Sequence, residues 1–261
     1  MELLNEIISK IIISYFVIAI FYYAVPSSIV YYLFYIRNPK SGKDIRIQQK
    51  HFQKDKIYTE VKWSLISIGV FAVLTGILLI FVEKGHTKVY HNLSAFGVGY
   101  LIVSVLLAIL LHDTFFYWIH RLMNWKPLFK SVHARHHLSK TPTPWACFSF
   151  SPLEALIQFP IYPIMLFLLP LHPIAIAFFL FNNILHNTLG HAGHEFLPTA
   201  YGKHKVLRYF LTPTHHDLHH SNCKYNFGIY FSFWDRLMGT NHEKYESIFL
   251  ALKSRENTQK Q

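Results

Sequence analysis

The chain has 261 residues, of which 52% are hydrophobic, 17% aromatic and only 15% charged. A soluble domain carries about 25% charged residues; this deficit, with the long uncharged runs below, excludes an ordinary soluble enzyme, a disordered chain and a coiled coil. Lys and Arg outnumber Asp and Glu by 25 to 14, a formal charge of +11, but no compact basic run accompanies the excess, which implies loops at an anionic membrane surface and no nucleic-acid partner.

A membrane-spanning helix needs about 20 mostly apolar residues. Residues 11–36 carry no charge, with Pro26 as an expected kink, and residues 63–82 form a second uncharged run of 20. Residues 95–111 form a third, which continues through His112 and Asp113 into 114–119. Residues 155–193 hold no Asp, Glu, Lys or Arg over 39 positions, and Pro170 and Pro173 divide them into an expected hairpin of two short helices. This predicts an all-α integral membrane bundle with four or five membrane helices. Its divisions are an N-terminal membrane region at 1–94, a catalytic region at 95–245 and a polar tail at 246–261, frayed from residue 253 on.

Charge supplies the orientation. The loop at 37–62 contains eight Lys/Arg against three acids, whereas that at 83–94 contains two Lys and one Glu. The positive-inside rule puts the first loop in the cytoplasm. The next two helices then go out and return, and so does the hairpin, which brings residues after 112 and after 190 to the same cytoplasmic face as a helical cap.

Those residues are rich in histidine: 14 of the 18 His lie between His112 and His220. One cluster is His120-Arg-Leu-Met-Asn124, a second is His133-Ala-Arg-His136-His137, and a third is His215-His216-Asp-Leu-His219-His220. Asn187 and His191 are again spaced by four. Spacings of three and four place side chains on one helical face, where neutral imidazoles can meet one metal ion or two adjacent ones; iron, zinc, copper and nickel all suit them. His51, His86, His91 and His242 read as solvated, His172 as structural at the outer turn, and His186 and His204 as packing or supporting residues; His194 is open. A zinc hydrolase would need HExxH, which is absent. A bis-His haem carrier would need two opposed His rather than clustered triplets. The two cysteines, Cys147 and Cys223, form no CxxC.

In the stretch from His112 to Thr240 the chain resembles the fatty acid hydroxylase/sterol desaturase superfamily of membrane-bound non-haem iron oxygenases. The resemblance is carried by His112-Asp-Thr-Phe-Phe-Tyr-Trp-Ile-His120-Arg and the HxxHH at His133 with its following Pro-Thr-Pro-Trp. Gly190-His191, the HHxxHH at His215 and the closing Phe231-Ser-Phe-Trp-Asp-Arg-Leu-Met-Gly-Thr240 complete it. It implies a dinuclear iron site, with zinc able to substitute in purified protein, O2 as oxidant and a lipid that is hydroxylated or desaturated. The metal ligands it implies are His120, His133, His136, His137, His191, His216, His219 and His220. His215 is a further ligand or an orienting residue. The family usually has His where this chain has Asn124, so Asn124, like Asn187, is a candidate for weaker or water-mediated ligation.

Asp113, Asp217 and Asp235 are candidate acceptors of ring N–H bonds from the ligands, or alternatively ion-pair partners of Arg121, Arg135 or Arg236. Trp118, Trp145 and Trp234 read as interface anchors or core. No cytochrome or flavin motif is present, so electrons are expected from a separate donor of the cytochrome b5, ferredoxin or flavin-reductase type. The absence of a fused redox domain and of a dilysine signal favours a bacterial cytoplasmic membrane over the endoplasmic reticulum. The alternative function is membrane metal binding or transport without oxygenase activity.

Overall fold

The computed structural model describes residues 1–37, 45–48 and 55–258. Among them there is no β-strand, only three isolated bridges. Among the described residues three helices are long and apolar enough to cross a membrane: α1 (Glu2–Arg37), α2 (Asp55–Glu83) and α3 (Gly97–Met123). At 1.5 Å per residue each exceeds the roughly 30 Å hydrocarbon layer, so their ends project beyond it.

Their packing is inverted relative to a soluble bundle. Ile13, Phe16, Phe21 and Ile29 of α1 face outward, as do Ile102 and Leu106 of α3, while Ser14, Ser27, Ser64, Ser67, Ser104 and Ala108 are buried. Lipid solvates the large apolar side chains, and small residues let backbones approach. At Gly76 on α2 the approach is limiting: a Cβ there would lie 2.7 Å from Ile11 Cγ1 and 2.9 Å from Ile11 N. Pro26 does not break α1. The helix widens to π geometry over Ile18–Ala24 just before it, which gives room where the proline ring would crowd the preceding turn.

The apolar stretch after residue 150, uncharged from residue 155, folds as α5 (Pro152–Gln158), α6 (Ile161–Leu168) and α7 (Pro173–Gly190). It is a hairpin, as the prolines suggest, but neither arm is long and apolar enough to count as a span, so among the described residues three helices of spanning character stand where four or five were expected. Polar Asn182, Asn183, His186 and Asn187 lower the apolarity of α7. The hairpin is seated on α3 through Ala108, Ile161, Met165, Ala175 and Phe179, and on α2 through Phe71, Ala155 and Phe159. Its turn meets the α2–α3 loop, where Tyr90 N donates to Leu171 O at 3.2 Å and His172 Nε2 lies 3.1 Å from His91 O.

At the opposite end lies a cap of short elements: α4 (Lys126–Val132), α8 (Ala200–Lys203), α9 (Pro213–Ser221), α10 (Phe233–Leu237) and α11 (Tyr245–Thr258). Residues 45–48 of the basic loop pack on it: Ile47 N donates to Gly193 O at 3.1 Å, and Gln48 Nε2 to Asp217 Oδ1 at 2.8 Å. The basic loop and the HHxxHH segment therefore share one end of the bundle. The segment expected as a polar tail is helical as far as Thr258; Phe249 is fully buried and Lys253 Nζ donates to Glu195 O at 2.8 Å. His51 lies outside the described residues.

Candidate metal centre

α3 carries His120 about 35 Å from its start, at 1.5 Å per residue, in its last turn beside the cap. The turn at 133–138 presents His133, His136 and His137, the end of α7 presents His191, and α9 presents His216, His219 and His220. Two groups result. His120, His133, His137 and His219 form one, and His136, His191, His216 and His220 the other; within each, one nitrogen per ring lies within 4.8 Å of all the others. Adjacent His136 and His137 thus serve different groups.

In the first group Nε2 of His120 is 3.0 Å from that of His133, and Nε2 of His219 is 3.0 Å from that of His137. In the second, His191 Nε2 lies 3.3, 3.1 and 3.3 Å from Nε2 of His136, His216 and His220. Metal–imidazole bonds of 2.0–2.1 Å imply N···N edges of about 3.3–3.4 Å in a tetrahedron and somewhat less at right angles. The separations match that scale.

The outer nitrogens explain why Nε2 faces inward. Nδ1 of His120, His191 and His219 donates to backbone carbonyls of Phe227 (2.9 Å), Asn187 (2.7 Å) and Tyr225 (2.6 Å). A carbonyl only accepts, so each Nδ1 holds the proton and each Nε2 a lone pair. Lone pairs directed at one another near 3 Å repel unless a cation lies between them, and eight neutral imidazoles are a donor set suited to a transition metal. Burial pushes His133, His136, His137, His216, His219 and His220 well below the usual imidazole range, with repulsion between rings adding to it. Burial also takes His191 down to about 4. The lone pairs are therefore available at neutral pH.

The three aspartates considered from sequence do not accept from these rings. Asp113 Oδ1 takes the N–H groups of Tyr230 and Phe231. Asp217 takes Gln48, and Asp235 takes Phe227 N, Gly228 N and Thr240. None of the three forms the ion pair considered as the alternative either; each braces backbone or the basic loop. The carboxylate that does meet a ligand is Glu154, whose Oε1 is 2.7 Å from His133 Nδ1 and also accepts from Gln158 at 3.0 Å. In the sequence Glu154 reads as the third residue of a helix start, Ser151-Pro-Leu-Glu154, and Ser151 does cap it; that local role concealed the other. Cys223 was also missed: its Sγ is 3.2 Å from His137 Nδ1.

His215 points away from both groups, with its ring beside Tyr245 and Nε2 3.8 Å from Asp235 Oδ2. Asn124 Nδ2 turns back to donate to His120 O at 2.9 Å, while its Oδ1 is buried with no partner among the described residues. Asn187 Nδ2 donates to Cys147 O at 2.7 Å, and the side chain lines the metal cavity. His194 stacks on Phe34 and ligates nothing. His204 caps its own loop by accepting from Val206 N and Leu207 N. Trp145 packs with Tyr23 in the core, and Trp118 and Trp234 pack on each other.

A small cavity of about 50 Å³ reaches His120, His133, His136, His191 and His216. It adjoins an apolar chamber of about 310 Å³ among α1, α2, α6 and α7, sharing Phe71, Phe148, Tyr162 and Asn183 as walls. On its other side is a chamber of about 140 Å³ beneath the cap. At the first junction His112 Nδ1 is 2.7 Å from the Tyr230 hydroxyl, which also accepts from Asn183 Nδ2 at 3.0 Å.

The family model described as fatty acid hydroxylase matches residues 105–240, just over half of the chain. Human lathosterol oxidase is 30% identical over 198 residues, covering 74% of this chain and 64% of its own. The Delta(7)-sterol 5(6)-desaturase of Gibberella zeae is 28% identical over 223 residues, 85% of this chain and 65% of its own. That of Schizosaccharomyces pombe is 28% identical over 240 residues, 92% and 68% respectively. The chain thus spans just under two thirds of the length of the first two. These relatives are eukaryotic and lend the expectation of a bacterial membrane no support. No solved structure matches. With its histidine boxes in family order, both quartets assembled and the family match running from within α3 to residue 240 in the cap, the chain belongs to the fatty acid hydroxylase/sterol desaturase superfamily.

Proposed function

We propose that the protein is a membrane-bound oxidoreductase that uses O2 to hydroxylate or desaturate a lipid, with two iron ions held by the two histidine quartets. The observation that carries this reading is the pair of quartets, Nε2 inward, beside a cavity that adjoins an apolar chamber within the helical bundle. Unactivated C–H bonds do not yield to acid–base chemistry, and iron bound there supplies the oxidising chemistry they require.

The chain's own part is to hold and to exclude. Phe227, Asn187 and Tyr225 carbonyls keep the proton on Nδ1 of His120, His191 and His219, and Glu154 does so for His133. Phe115, Phe116, Ile119 and Phe150 line the small cavity and limit water. The apolar chamber beside it has the lining to receive the body of a lipid. Sterols head the candidate substrates, because the relatives described above are named for sterol oxidation. Reducing equivalents come from a separate protein of the cytochrome b5, ferredoxin or flavin-reductase type. The charge asymmetry of the loops supports a cap on the cytoplasmic side.

Elemental analysis of protein purified from iron-supplemented cells tests the first step, with O2 uptake and lipid extracts of cells with and without the gene testing the rest. About two transition-metal ions per chain, with zinc replacing iron in part, and a lipid that gains or loses oxidation in step with expression are expected. A folded sample free of transition metal refutes the reading. Bound metal with neither O2 uptake nor a lipid change favours a metal-binding protein without oxygenase activity.

A further inference from the structure

We propose that the chamber beneath the cap seats the polar head of the substrate, that this head is an uncharged hydroxyl, and that His186 Nε2 accepts its proton. The proposal rests on the lipid-oxidising reading above and narrows it to a class of lipid.

The chamber of about 140 Å³ lies between the end of α7 and the segment 196–213, and it shares Phe116, Asn187, His216 and Ile229 with the metal cavity. No Asp, Glu, Lys or Arg lines it, and none lines the 310 Å³ chamber on the other side of the metal cavity. A carboxylate or phosphate placed in either would be desolvated without a counter-charge, which costs far more than neutral hydrogen bonds return. The two chambers differ in polarity. The one in the bundle is walled chiefly by Ile, Leu, Val and Phe and suits an apolar body. The one under the cap offers His186, Thr212 and Tyr201 and suits a small polar group.

His186 sets what that group must be. Its Nδ1 lies 3.0 Å from Asn182 O, a carbonyl that can only accept, so Nδ1 carries the proton and Nε2 the lone pair. The ring is held edge-on to Tyr230, with centroids 5.1 Å apart. A lone pair at Nε2 pairs with an O–H donor and finds no partner in an ether, an ester or an anion.

The test measures lipid binding to metal-loaded protein in nanodiscs, with two probe pairs: cholesterol against its 3-O-methyl ether, and octadecanol against its methyl ether. Wild type should bind the alcohol of at least one pair about tenfold more tightly than the ether. His186→Phe, which keeps an aromatic ring and removes the acceptor, should bring alcohol and ether within about twofold. His186→Gln, which restores an acceptor oxygen, should recover part of the difference, at unchanged metal content in both variants. Equal binding of alcohol and ether by wild type, or undiminished discrimination in His186→Phe, overturns the head-group assignment. If the lipid extracts still show oxidation in that case, the oxidase reading survives it. If metal-loaded protein binds neither pair and oxidises no lipid, both fall together.

Discussion

Glu154 is the carboxylate through which one metal position can be weakened while the other is left alone. Its Oε1 holds His133 Nδ1 at 2.7 Å, and both side chains are almost wholly buried. Losing such a partner costs about 10–100-fold in metal affinity, or about 1.4–2.7 kcal/mol. Glu154→Gln keeps an acceptor oxygen for the His133 N–H, so an effect near the lower bound, about tenfold, is expected. Glu154→Ala leaves the His133 N–H buried and unpaired, at about 1–3 kcal/mol, so it falls near the upper bound. Because Glu154 touches only the quartet of His120, His133, His137 and His219, one metal ion per chain should be lost and the other retained. The assay is chelator competition followed by metal counting on purified protein, with the thermal midpoint of the metal-free form recorded for each variant. Wild-type affinity in Glu154→Ala would refute the reasoning. So would parallel loss of both ions at an unchanged thermal midpoint, since that would show the quartets are not separately supported.

Two further outcomes follow from the site. His191 is held near pKa 4 by burial, and His215 near 3, against about 6.5 in an unfolded chain. Below pH 6.5 the unfolded chain therefore binds more protons, and the metal-free protein loses stability as pH falls towards 4. Each of these groups contributes a loss of about 2 kcal/mol at pH 5. Denaturant midpoints at pH 7.5 and 5 check this, and a midpoint that rises on acidification contradicts it. At Asn124 the orphaned Oδ1 lies one turn after His120, where the family usually has a ligand. Asn124→Leu should lower metal per chain and Asn124→His should not, as measured on variants purified side by side; equal content in wild type and both variants rejects a ligand role.

The eight histidines that the structure gathers into two groups were named through the family resemblance, since spacings of three and four mark His215 as readily as its neighbours. The sequence alone determined the membrane class and the helical class, because uncharged runs of 20 residues or more leave the chain no other solvent. It also set which ends of the bundle lie together, because loop charge and helix count fix the parity of crossings; the bond from Gln48 to Asp217 joins those ends. It overestimated the hairpin, since the absence of charge over 155–193 does not reveal that Asn and His would turn inward and shorten the apolar length. The partition of the histidines was not legible. Neighbours His136 and His137 part company because a tight turn aims consecutive side chains in different directions, and His215 leaves its own box for Tyr245 and Asp235. Nor could spacing identify the supports. Three of the ligand rings are fixed by backbone carbonyls, which every residue carries. Glu154 reaches His133 only because the 133–138 turn folds back onto α5. Where the chain crosses the membrane is thus written in local composition, whereas which nitrogen faces which partner depends on contacts between segments distant in the chain, and these exist only once the helices have packed.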